Sequence, residues 1–154
     1  LLEAVDCRIP NFAGIKYTYE SIYEYNQCML YKGGKFDMLH GQDETILPVL
    51  AMGGAQGGIG GTTNYNGREL VGILDAWEKG DLETAREKQN FSQDVINVIV
   101  NYRGNIVGGK RIMKLIGLDL GKNRTPFRNM SDDEEASMKK ELEAINFFSR
   151  CNKF

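Results

Sequence analysis

A lysine inside an apolar run is the first residue of this sequence that could do chemistry. Phe12-Ala-Gly-Ile-Lys-Tyr-Thr18 is otherwise mostly apolar, and lysine is among the side chains least often buried. Burial disfavours an ammonium and favours the neutral amine, which attacks a ketone to form a Schiff base. The protonated imine is an electron sink, so an adjacent carbon–carbon bond can break or form. The other reading of Lys16 is a strand-end lysine whose ammonium snorkels to solvent or pairs with a carboxylate.

Asp43 and Glu44 form a carboxylate pair between a strand pattern and a helix pattern. They fit a helix N-cap with an acidic first turn, and they also fit a pair of acceptors for substrate hydroxyls. Both roles are compatible at the start of one helix. Gly57-Gly-Ile-Gly-Gly61 lets a ligand approach the backbone closely, or marks a strand with no room for side chains. It is not a Gly-x-Gly-x-x-Gly fingerprint, because the spacing differs and no ribose-binding acid follows. His40 is the only histidine, which excludes a His-rich metal site and a two-His relay; alone at a strand end, it reads as structural.

These residues need elements to hold them. The first five residues read as the end of a helix, and the turn from Asp6 to Asn11 contains Pro10. Residues 12–18 read as a buried parallel strand. Ile22, Tyr25, Asn26 and Met29 give a helix over 20–31, stopped at Gly33–Gly34. Lys35–His40 is a second strand, Thr45–Met52 a helix, and Gly57–Gly61 a third strand. From about Gly67 the pattern is helical: 67–79, 82–102, 109–116, and a last helix behind Ser131-Asp-Asp-Glu134, a capping box. Arg124-Thr-Pro-Phe127 reads as a rigid loop before it.

Strands alternating with helices imply a parallel sheet. Three such strands cannot close, and an eight-stranded (β/α) barrel takes about 250 residues. The expected fold is therefore the C-terminal part of a (β/α)8 barrel, about three parallel strands with crossover helices, followed by a helical bundle. The expected division is 1–66 for the partial barrel and 67–154 for the last barrel helix and the helical extension. The chain opens Leu-Leu-Glu-Ala, without Met, as if inside a helix, and is expected to be a piece of a longer protein. A three-stranded open sheet is the alternative, with exposed apolar edges.

Composition narrows the partners. With 19 Lys plus Arg against 21 Asp plus Glu, no basic excess argues for nucleic acid and no polybasic patch for a membrane surface. No apolar run reaches the about 20 residues of a spanning helix. Cys7, Cys28 and Cys151 show no metal-ligand spacing and read as free thiols in a reducing, cytoplasmic compartment.

In this order, three segments carry a family resemblance. Phe12–Thr18 is similar to the Schiff-base lysine strand of the N-acetylneuraminate lyase and dihydrodipicolinate synthase superfamily. These are class I, pyruvate-handling aldolases on a (β/α)8 barrel with extra C-terminal helices. Gly41-Gln-Asp-Glu44 resembles the Gly-x-Asp-Glu loop of the sialic acid lyases in that superfamily, and Gly57–Asn64 resembles their Gly-rich segment. The match runs through Gly80-Asp81 and the Arg124–Phe127 loop, over essentially the whole chain.

The resemblance implies that Lys16 forms the imine with the C2 keto group of sialic acid, or with pyruvate in reverse. Thr18 would contact substrate near the cleaved bond. The Gly41 backbone, Asp43 and Glu44 would hold hydroxyls of the sugar tail, and Gly61 would lie at a substrate-binding position. No metal or cofactor is implied beyond the covalent imine, and the expected assembly is a homo-tetramer. Two departures stand out. The family usually has Ser where this chain has Gly61, so a hydroxyl contact is missing or replaced. The family's carboxylate-binding turn and catalytic Tyr lie on earlier strands, so these 154 residues alone are expected to be inactive. The alternatives are a related aldolase acting on another 2-keto-3-deoxy sugar acid, and a non-catalytic half-barrel interaction module.

Overall fold

Strand β1 (Gly14–Tyr17) pairs in parallel with β2 (Asp37–His40), with Lys16 opposite Leu39 and Tyr17 opposite His40. The computed structural model that carries them describes residues 1–54 and 57–154. It divides into two units, Leu1–Gly60 and Gly61–Phe154, each with its own apolar core.

The first unit opens with helix α1 (Leu2–Arg8). It runs past the turn expected at Asp6 and stops short of Pro10, whose ring cannot continue a helix. Asp6 anchors its end. The carboxylate pairs with the ammonium groups of Lys32 and Lys35, and hydrogen bonds from both lysines hold it down at a pKa of about 2.

Helix α2 (Ile22–Leu30) connects the strands. Ser21 caps it, accepting a hydrogen bond from the Glu24 amide at 3.2 Å. Tyr25, fully buried, packs with Leu2, Phe36, Met38 and Val49, and its hydroxyl donates to the Met38 carbonyl inside β2. One buried tyrosine thus ties helix to strand. Ile15 and Tyr17 lie against the same core. Gly14 has no side chain because the Asp37 backbone fills the space where a Cβ would go.

After β2, a single 3-10 turn (Asp43–Thr45) leads into α3 (Ile46–Ala51). The third strand expected over Gly57–Gly61 is corrected to one parallel bridge, His40 to Gly58. Its bonds run from the His40 amide to Gly57 O at 3.1 Å and from the Ile59 amide to His40 O at 2.8 Å. Glycines bring no side chains to pack and lose the most backbone entropy on ordering, so the pairing ends there.

The second unit is helical. Helix α4 (Thr63–Glu78) starts four residues before the expected Gly67. Its first turn is held from the far end of the chain: Asn152 donates to Thr63 O and Asn64 O at 3.1 and 2.9 Å, and accepts from the Arg68 amide at 3.1 Å. Gly80, at φ +72°, makes the turn, and Asp81 caps α5 (Leu82–Asn101) by accepting from the Thr84 amide at 3.0 Å.

α4 and α5 pack on each other, and Leu70 and Ile73 of α4 and Phe91 and Val95 of α5 are all buried. At their rim Arg150 lies over the Phe91 ring at 3.8 Å and forks to Glu69 and Glu87. A π-helical turn (Asn105–Gly109) runs straight into α6 (Lys110–Leu115). Ser131 and Glu134 form the expected capping box at α7 (Asp132–Ala144), and α8 (Phe147–Arg150) closes the unit. Among the described residues no helix is long and apolar enough to cross a membrane.

Candidate active site

Parallel pairing brings the C-terminal ends of β1 and β2 to one side of the first unit. Thr18 leaves β1 there, and Gly41 leaves β2. They touch closely: the Gly41 amide donates to Tyr17 O at 2.8 Å, and a Cβ on Gly41 would overlap the Thr18 hydroxyl. Two residues on, the 3-10 turn turns Asp43 inward, where it is 3% exposed. Its carboxylate occupies the space that a side chain on Gly60 would need. Thr18, Gly41, Asp43 and Gly60 thus form one contiguous rim, with Glu44 half-buried in the same turn.

Lys16 stands on β1 between Ile15 and Tyr17, which face the core, so it emerges from the opposite face of the strand. Of the two readings of Lys16, burial in the apolar run is corrected and the strand-end lysine reaching solvent holds: Lys16 is exposed. Among the described residues β1 has one sheet neighbour, and on this face that neighbour presents Leu39. One strand flank is too little to exclude water from a four-carbon side chain.

His40 lies on the other, helix-covered face, its ring 5.3 Å from that of Tyr25 and its Nε2 2.7 Å from Thr45 Oγ1. Burial pushes its pKa below the ordinary 6.5, against the pull of the Asp43 carboxylate. It supports the rim from behind. Among the described residues no three His, Cys, Asp or Glu side chains come together as metal ligands would.

Gly61 belongs to the second unit. It accepts a hydrogen bond from Asn64 Nδ2 at 2.9 Å through its carbonyl, and a Cβ on it would lie 2.5 Å from Asn105 Nδ2. Asn105 Oδ1 in turn accepts from the Tyr65 hydroxyl. Sequence reading passed over Tyr65 and Asn105. The one available signal was Arg103-Gly104-Asn105, a turn-forming string, where Arg103 and Gly104 both adopt φ +66°. Gly60 is read in the sequence only as part of the glycine run, because only the fold sets it against Asp43.

The dihydrodipicolinate synthetase family matches residues 5–145. N-acetylneuraminate lyase from Rattus norvegicus is 31% identical over 151 residues, 97% of this chain and 47% of that protein. Among solved structures, Proteus mirabilis N-acetylneuraminate lyase superimposes with a TM-score of 0.87 at 32% identity, covering 95% of this chain and 49% of the other. The sialic acid aldolase of Aliivibrio salmonicida gives 0.87 at 33%, with 95% and 48% covered. The chain spans about half the length of the curated relatives it matches.

Proposed function

The chain belongs to the dihydrodipicolinate synthetase family, and from that premise we propose that it supplies the lysine-bearing part of a class I aldolase cleaving N-acetylneuraminate to N-acetylmannosamine and pyruvate. The observation that carries the reading is positional. Lys16 and Thr18 on one strand, and Gly41, Asp43 and Glu44 after its parallel neighbour, gather at strand C-terminal ends, where barrel enzymes do their chemistry.

In this reading the Lys16 amine adds to the C2 ketone of the open-chain sugar acid, and loss of water leaves a protonated imine. A base takes the proton of the C4 hydroxyl. The C3–C4 bond breaks, its electron pair passes into the imine as an enamine, and N-acetylmannosamine departs as the aldehyde. Protonation at C3 and hydrolysis release pyruvate and restore the amine. Thr18 borders the cleaved bond, while Gly41, Asp43, Glu44 and the Gly61 position receive the polar tail. The imine is the electron sink, so the reading uses no cofactor. The base belongs to strands outside this chain, as the resemblance implies, and so does the cover over Lys16 that keeps water from an amine nucleophile. A cytoplasmic homo-tetramer goes with the reading, and the free Cys7, Cys28 and Cys151 suit a reducing compartment.

Borohydride reduction of the intact protein in pyruvate tests it. A reduced adduct on Lys16, lost together with turnover in Lys16→Ala, is the expected result; an unmodified Lys16 removes the mechanism. Gly61 in place of a serine favours a second reading, an aldolase for another 2-keto-3-deoxy sugar acid. Pyruvate release measured across sugar acids separates the two.

A further inference from the structure

We infer that residues Arg150–Phe154 form a strap that opens and closes as one piece, and that its closure fixes the first turn of α4. Every residue involved lies in the second unit, whatever reaction the protein catalyses.

The closed strap has two latches. Arg150 is one. Its guanidinium lies 3.8 Å from the centre of the Phe91 ring and reaches Glu69 at 2.6 Å and Glu87 at 2.6 and 3.1 Å. Asn152 is the other. Its backbone amide donates to Tyr65 O at 2.8 Å, and its side chain bonds to Thr63, Asn64 and Arg68 at 2.9–3.1 Å. Gly67 makes room for that side chain: a Cβ there would lie 3.3 Å from Asn152 Nδ2 and 3.4 Å from Oδ1. A glycine inside a helix weakens it, so this turn of α4 leans on the strap for what its own sequence gives up.

The latches are built to release. When Arg150 withdraws, Lys88 still pairs with Glu69 at 3.0 Å, and the Glu87 side chain is 56% exposed. No carboxylate is left buried and alone, which is what makes breaking an ion pair costly. The root of the strap stays seated. Asn146, left-handed at φ +57°, turns the chain out of α7, and Phe147 is fully buried in the core. Among residues 148–154 only the small Cys151 is buried, so opening uncovers little apolar surface. There is room for the movement: a groove of about 650 Å³ lies between α5 and the corner of α7 and α8, with Arg150 in its wall. Segments that bury few apolar contacts open locally, ahead of global unfolding.

Cys151 reports the opening, because its thiol meets reagent only when the strap lifts. The test is made in the intact protein with two readouts of protection relative to an unfolded peptide. One is alkylation of Cys151 by iodoacetamide, resolved by mass from the exposed Cys7 and the half-buried Cys28. The other is hydrogen exchange of the Arg68 amide, which Asn152 holds. In the unsubstituted protein the two sites should show equal protection, at least about tenfold below that of the Val95 and Val98 amides in α5. Glu87→Gln, which weakens a latch without touching α4, should lower protection at both sites by one factor, about threefold. Arg150→Ala should lower it at Cys151 by about tenfold. Cys151 protection equal to that of Val95 and Val98 overturns the inference, since the thiol is then reached by global unfolding alone. Unequal protection of Cys151 and Arg68, or a response to Glu87→Gln at Cys151 only, overturns it as well, because the terminus then frays without α4. Unchanged labelling of Cys151 in both variants means that Arg150 latches nothing, and removes the strap.

Discussion

His40 sits at the end of β2, directly before Gly41 of the candidate rim, yet its ring turns toward Tyr25 and away from Lys16. Its chemistry therefore appears in stability rather than in catalysis. Burial holds the folded-state pKa below 6.5, so the folded protein keeps the ring neutral while the unfolded chain takes up a proton below that value. Stability present above pH 6.5 falls as pH drops through the interval beneath it, by at most about 1.4 kcal/mol per pH unit for one group. The paired carboxylates Glu69 and Glu134 are shifted down from 4.5, and Asp6 from 3.8. They shed their contributions only below those values. Urea melts at pH 7 and pH 5 should thus show a loss in the parent protein that His40→Gln largely removes. Equal pH dependence in the two proteins would assign the effect elsewhere.

At the scale of elements, whatever depended on near neighbours in sequence could be read from it. The capping box is such a case: Ser131 Oγ accepts from the Glu134 amide at 3.2 Å, and Glu134 returns a bond to the Ser131 amide at 2.8 Å. Glu134 also holds Arg103 and is kept at a pKa of about 2 by that guanidinium, then by the cap. Ser131→Ala should cost about 1 kcal/mol, read as a lower denaturant midpoint with an unchanged slope; no shift would mean that packing alone fixes α7. The strands at 14–17 and 37–40 and the lysine among apolar neighbours were likewise legible. What was not legible needed tertiary partners. The glycine run looked like a strand by position, but only the buried Asp43 carboxylate explains why Gly60 must lack a side chain. The π-helical turn at Asn105–Gly109 has no periodic signature, because it depends on Gly108 fitting against the carbonyls of Ile99 and Tyr102 at the end of α5. Lys16 stays open to two readings in the sequence for a related reason: pattern reports which residues flank it along the chain, not how many strands stand beside it.

For the molecule as a whole, the two units differ in how they are held. The first rests on a pair of four-residue strands and one bridge, and a two-stranded sheet is marginal in water. Among its described residues Tyr19, Tyr23 and Leu30 are largely exposed, and one edge of β1 has no ladder partner, a surface that invites association. The second joins long helices, α4 and α5, around a core that includes Tyr65, Ile99, Ile112, Met138, Leu142 and Phe147, and adds the Arg150 fork at its rim. Local stability follows buried apolar contact. Hydrogen exchange of the isolated 154 residues should therefore be uneven: amides of 14–17 and 37–40 should exchange well before those of 82–101. Sedimentation should show concentration-dependent association that a lysine at Tyr23, on the exposed face of α2, weakens. Uniform protection across both units, or a strictly monomeric chain at high concentration, would mean that the first unit is complete as it stands. The case for further strands over Lys16 would lose its structural support.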